Sequence, residues 1–100
     1  MVQRLTKPTA RVLAALLEAG PSGCYGLELM DNAKVGAGTI YPMLTRLEEA
    51  GWVESLWEDV DPTKAGRPAR RYYTLTGLGH TEATAKLSAR SGLPSRLSQA

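Results

Sequence analysis

Apolar residues recur at helical spacing three times along the chain, and then the period shortens. Val12, Leu13, Leu16 and Leu17 share one face, behind Thr6 as a capping residue and Pro8 in the first turn. Gly20-Pro21-Ser22-Gly23 ends that helix. A shorter helix fits Tyr25 to Ala33, where Leu29 follows Tyr25 by four and Met30 follows Leu27 by three. Lys34 to Gly38 reads as a turn, and a third helix is predicted from about Ala37 to Ala50, stopped by Gly51. Beyond it, Trp52–Trp57 and Arg70–Leu75 carry aromatic and β-favouring residues and read as strands. Glu58–Ala69, with Pro62, Gly66 and Pro68, is the exposed loop between them. Thr76 then caps a fourth helix to about Arg90, whose apolar residues are mostly alanine joined by Leu78 and Leu87.

Helix, helix, helix, hairpin, helix is the order of a winged helix-turn-helix. The expected fold is mainly α with a small antiparallel β-hairpin and a short C-terminal helix. Residues 1–75 form the winged-helix unit and 76–91 the C-terminal helix, a candidate dimerisation element. Residues 92–100 are expected to be a flexible tail.

At about 100° per residue, Met43, Leu44 and Leu47 lie within about 60° of Ile40 and form the apolar stripe of the third helix. The opposite arc carries Gly38, Thr39, Tyr41, Pro42, Thr45, Arg46 and Glu49. Side chains of this kind, gathered in the first turns, suit contacts to a groove and to phosphate. The helix N-terminus favours an anion, and Glu48 and Glu49 sit at the far end, away from it. A polar face is also what any amphipathic surface helix presents. Pro42 in the second turn removes a helical hydrogen bond, so it requires a local adjustment or a use.

Composition removes several classes of function. One hundred residues, 43% hydrophobic and 22% charged, make one ordinary globular domain. Val12–Leu17 is far shorter than a membrane span, and Met1-Val2-Gln3-Arg4 leads into polar sequence rather than a signal peptide, so a cytoplasmic protein is expected. A lone Cys24 and a lone His80 leave no internal disulfide and no conventional metal centre, so no cofactor is expected. Ser22, Ser55 and Thr39 have no evident base, Glu48 and Glu49 point in different directions, and His80 reads as a surface residue. The chain is therefore not expected to be an enzyme. Cys24 reads as a small filler rather than a reactive thiol.

Net charge is only +2, but its placement is uneven. Glu54, Glu58, Asp59 and Asp61 precede Lys64, Arg67, Arg70 and Arg71. Such a basic stretch serves a phosphate backbone, or it is a solvated hairpin balancing its own charges. In Gly66-Arg67-Pro68 the glycine permits close approach, the proline keeps the chain extended, and the arginine suits a narrow minor groove. Arg70 and Arg71 point to opposite strand faces, so one of them shares the phosphate track of Arg67. Trp57, Tyr72 and Tyr73 either pack the hairpin onto the helices or, in an alternative reading as a protein–protein interaction module, anchor an interface.

Several linked motifs carry a family resemblance. Gly38-Thr39-Ile40-Tyr41-Pro42-Met43-Leu44, Arg46-Leu47-Glu48, Gly51-Trp52-Val53, Gly66-Arg67-Pro68 and Arg71-Tyr72-Tyr73-Thr74-Leu75-Thr76, followed by Gly79, resemble the PadR family of transcriptional regulators over about residues 7–80. Gly23-Cys24-Tyr25-Gly26 is loosely similar to the family's His-Gly-Tyr segment. The resemblance implies a winged-helix repressor of double-stranded DNA, usually dimeric, with the third helix in the major groove and the wing on the backbone or minor groove. Gly36-Ala37 replaces the Ser-Pro common in relatives, and the C-terminal region is shorter than their dimerising helices. The expected homodimer therefore pairs the C-terminal helix with the partner's first helix, with Val12, Leu13 or Leu16 supplying apolar area. No aromatic residue follows Tyr73, so an effector pocket could not draw aromatics from the last helix.

Overall fold

The computed structural model describes residues 5–91, so the expected tail at 92–100 lies outside the described residues. Thr6 begins α1 (Lys7–Ala19) as expected, its Oγ1 accepting from the Thr9 amide at 3.3 Å. A single 3-10 turn, Gly20–Ser22, follows α1. The next two residues, Cys24–Tyr25, form a strand, β1, where the sequence reading began a helix. The helix, α2, occupies Gly26–Ala33 with Tyr25 as its cap, and Glu28 Oε1 accepts the Tyr25 amide at 3.0 Å. The stop is Lys34, whose left-handed backbone (φ 57°) closes α2.

Next comes α3 (Ala37–Glu49), then β2 (Val53–Trp57), one helical turn α4 (Pro62–Ala65), β3 (Arg71–Leu75) and α5 (Gly77–Ser91). The hairpin is thus a three-stranded antiparallel sheet in the order β1-β3-β2. Val53 faces Leu75, Ser55 faces Tyr73 and Trp57 faces Arg71; on the other edge Cys24 faces Tyr73 and Tyr25 faces Tyr72. The turn α4 sits within the stretch read as loop. Asp61 caps it through the Thr63 amide at 2.9 Å, and Gly66 ends it in the left-handed region.

The core joins Val12, Leu13 and Leu16 of α1, Leu29 of α2, the four apolar residues of α3, Trp52, Val53, Tyr73 and Ala83 of α5. Ile40, Met43, Leu44 and Leu47 are all buried, so the stripe deduced for α3 faces this core. Here α5 lies against α1 of its own chain, and Val12, Leu13 and Leu16 are at most 1% exposed. That corrects the expected dimer contact: these three side chains are already covered and offer a partner no area. Leu78, 53% exposed, is the large apolar side chain that α5 leaves open among the described residues.

Thr76 fastens the start of α5. Its amide donates to the Trp52 carbonyl at 2.9 Å and its hydroxyl to the Gly51 carbonyl at 2.6 Å, while it caps the Gly79 amide at 2.9 Å. Gly79 rests so closely on the Trp52 backbone that a Cβ there would overlap the Trp52 carbonyl. Among the described residues, no helix is long and apolar enough to cross a membrane.

Candidate nucleic-acid interface

α3 exposes the arc that its sequence placed opposite the core. Gly38, Thr39, Tyr41, Pro42, Thr45 and Arg46 are all exposed. Pro42 lies inside a continuous helix, and both it and Gly38, whose carbonyl loses its usual donor, are on the solvent side. Thr45 turns its hydroxyl back onto the Tyr41 carbonyl at 3.0 Å. The side chain of Arg46 makes no hydrogen bond or ion pair among the described residues, and neither does that of Lys64 on α4.

Tyr41 leans from α3 over the start of α2, where Gly26 leaves room for it: a Cβ at Gly26 would stand 2.7 Å from the Tyr41 hydroxyl. Together with Arg70, Arg71 and Tyr73, these residues line an open cavity of about 180 Å³. The fold therefore brings Tyr41 of the α3 arc and two wing arginines to the lining of one cavity.

The wing arginines are less free than the sequence suggested. Arg67 donates Nη1 to Glu58 Oε1 at 2.6 Å and Nη2 to Oε2 at 3.0 Å, a two-point contact. The same carboxylate accepts the Tyr25 hydroxyl at 3.1 Å and the Arg70 amide at 3.2 Å. With Arg67 as the main cause, this holds the Glu58 carboxyl down to about 2. Glu58 in turn pushes the Tyr25 phenol up, by accepting its hydrogen bond. The Arg70 guanidinium stands over the Tyr25 ring, 5.2 Å from its centroid.

Arg71 turns to the opposite strand face, as alternation requires. It donates Nε and Nη2 to Ser55 Oγ at 3.0 and 2.7 Å, and Nη2 lies 3.6 Å from Glu48 Oε1. The Ser55 hydroxyl donates to Glu48 Oε2 at 3.0 Å. Trp57 and Tyr73 place their ring centroids 5.7 and 5.9 Å from the Arg71 guanidinium carbon. Tyr73 is buried and Tyr72 half-buried, but Trp57 is 65% exposed, so it does not pack the hairpin onto the helices.

Four residues that sequence reasoning did not assign to this surface organise it: Tyr25, Glu48, Ser55 and Glu58. The charge order Glu58 before Arg67 was the one visible signal for the wing contact. Glu48 and Ser55 meet only through the strand register. Cys24 is buried, and burial is the main cause that pushes its thiol up to about 11, which suits a filler and not a nucleophile.

The sequence profile described as the transcriptional regulator PadR-like family matches residues 12–85. No curated protein sequence is similar enough to match the chain. Among solved structures, a PadR-like transcription factor from Bacteroides fragilis is 26% identical with a TM-score of 0.61, over 86% of this chain and 84% of that one. Reduced AbfR bound to DNA is also 26% identical, with a TM-score of 0.66, over 91% of this chain and 60% of that one. NadR in complex with 4-hydroxyphenylacetate has a TM-score of 0.68 at 24% identity, a likeness of fold, over 88% of this chain and 59% of that one. The chain thus spans 60% of AbfR and 59% of NadR.

Proposed function

The chain belongs to the PadR-like family of transcriptional regulators, and from that membership we propose that it binds a specific sequence of double-stranded DNA and acts in the cytoplasm as a repressor. The observation that carries the reading is α3 itself. Its buried stripe of Ile40, Met43, Leu44 and Leu47 turns Thr39, Tyr41, Thr45 and the unpaired Arg46 outward, beside a β-hairpin wing. In this reading α3 enters the major groove with Gly38, Thr39, Tyr41, Pro42, Thr45 and Arg46, and the wing lies on the backbone or minor groove. Lys64 reaches phosphate directly. Arg67, Arg70 and Arg71 shape the wing through their internal partners and add to the field that attracts a polyanion. DNA in the AbfR complex supports this reading by likeness.

A single head makes few base contacts, so a homodimer on a palindromic site is part of the proposal. Residues 1–75 form the DNA-reading unit and 76–91 the pairing element, with the open Leu78 in the contact. Selection of bound sequences from a random duplex pool tests function and pairing together: a palindromic consensus is expected, and no enrichment rejects the reading. The second reading, a protein-binding winged helix, draws on the exposed Leu56 and Trp57 of the wing. A steep loss of binding with added salt favours DNA over that alternative.

A further inference from the structure

We propose that Glu48 is a positioning residue, which by holding Ser55 and Arg71 fixes the wing relative to α3 and thereby sets how selectively the chain reads DNA. The inference rests on the DNA-binding reading above. Glu48 belongs to the last turn of α3, Ser55 to β2 and Arg71 to β3, so one cluster of side chains ties three elements together. The Ser55 hydroxyl is its hub. Ser55 Oγ receives two N–H groups from Arg71 and gives its own proton to Glu48 Oε2, while Glu48 Oε1 faces Arg71 Nη2. The rings of Trp57 and Tyr73 flank the guanidinium and restrict its remaining freedom.

The side chains of Arg71 and Glu48 are 44% and 32% exposed, so solvent screens their attraction and the pair adds little to stability. Its effect is geometrical. The base of the wing is also seated on α3 by the short connection Ala50-Gly51-Trp52 and by Val53 and Tyr73 in the shared core, and the hold of Glu48 on Ser55 and Arg71 sets how the hairpin leans beyond that base. With the lean fixed, a DNA site must offer the right groove features at one separation. With the lean free, more sequences satisfy both readers and selectivity falls, although the count of cations is unchanged.

Charge and geometry are separable because alanine and glutamine remove the same charge. Glutamine still accepts the Ser55 hydroxyl through its amide oxygen, and alanine cannot. Two duplexes serve as probes: the sequence that the wild-type chain recovers from a random pool, and a scrambled duplex of the same composition. For Glu48→Ala the ratio of the two affinities is expected to fall about tenfold, the size of one lost base-pair discrimination. Its affinity for the scrambled duplex should hold or rise. For Glu48→Gln the ratio should stay near that of the wild type. Arg71→Lys keeps the charge but loses the fork on Ser55, so its ratio should fall as for Glu48→Ala; it carries the test if Glu48→Ala does not fold, which thermal unfolding reports. Equal ratios in the alanine and glutamine variants, or an undiminished ratio in Arg71→Lys, overturn the proposal. A wild-type chain that enriches no sequence overturns the DNA reading instead.

Discussion

Glu58 and Arg67 close the wing on itself, carboxylate to guanidinium at 2.6 and 3.0 Å, and the same carboxylate reaches Tyr25 beside α2. One acidic residue thereby holds the hairpin tip, the start of β3 through the Arg70 amide, and the sheet edge β1.

This contact makes wing stability depend on pH in a defined direction. The Glu58 carboxyl is held down to about 2 in the fold, against an ordinary value of 4.5 when unfolded. As pH falls, the unfolded chain takes up the proton first, so the contribution of Glu58 is complete above 4.5 and is lost as pH falls towards 2. Thermal midpoints of wild type and Glu58→Gln should differ at neutral pH and converge across that acid window. A constant gap from neutral to acid would show that the carboxylate charge is not what holds the wing.

An arginine already paired neutralises no phosphate. Arg67→Ala should therefore change the slope of log affinity against log salt by well under one unit, while Arg46→Ala and Lys64→Ala each reduce it by about one. Binding isotherms at several salt concentrations decide this. A full unit lost with Arg67→Ala would mean that the arginine exchanges Glu58 for DNA on binding.

Gly26 offers a way to move Tyr41 without touching it. In Gly26→Ala the new methyl meets the free end of the tyrosine, which can swing aside, and alanine is a better helix former than glycine. We expect nearly unchanged thermal stability and a loss of specific DNA binding that matches Tyr41→Ala. Full affinity in Gly26→Ala would remove the seated Tyr41 from the reading surface.

On the other side of α3, Leu44→Ala should cost about 2–5 kcal/mol by denaturant titration, because the leucine is 1% exposed and a cavity would remain. Arg46→Ala, two positions along and exposed, should be near neutral in the same titration.

Those two neighbours show what was legible in the sequence. The helical period sorts Leu44 inward and Arg46 outward with no knowledge of the fold, and strand alternation likewise separates Arg70 from Arg71. Local signals also existed for α4, in Asp61-Pro62 and Gly66, though its single turn is too short for a periodic pattern. By contrast β1 is two residues long and exists only because β3 supplies its partner. The grip of Glu48 on Ser55 and Arg71 spans three elements, and Glu58 finds Tyr25 across 33 residues of chain. Contacts of that kind follow from register and packing, which composition and periodicity do not contain.

The close seating of Gly79 against Trp52 gives the last helix its direction. Trp52 stands just beyond the end of α3, and Thr76 binds the carbonyls of both Gly51 and Trp52. The outgoing helix is therefore aimed from the foot of the incoming one, with no slack between them. In the proposed pair of chains joined through their last helices, that aim would act as a ruler: it would set how far apart the two copies of α3 stand, and hence the number of base pairs between half-sites. A side chain at position 79 would tilt the ruler before it altered a single base contact, and operator spacing is where the tilt would be read.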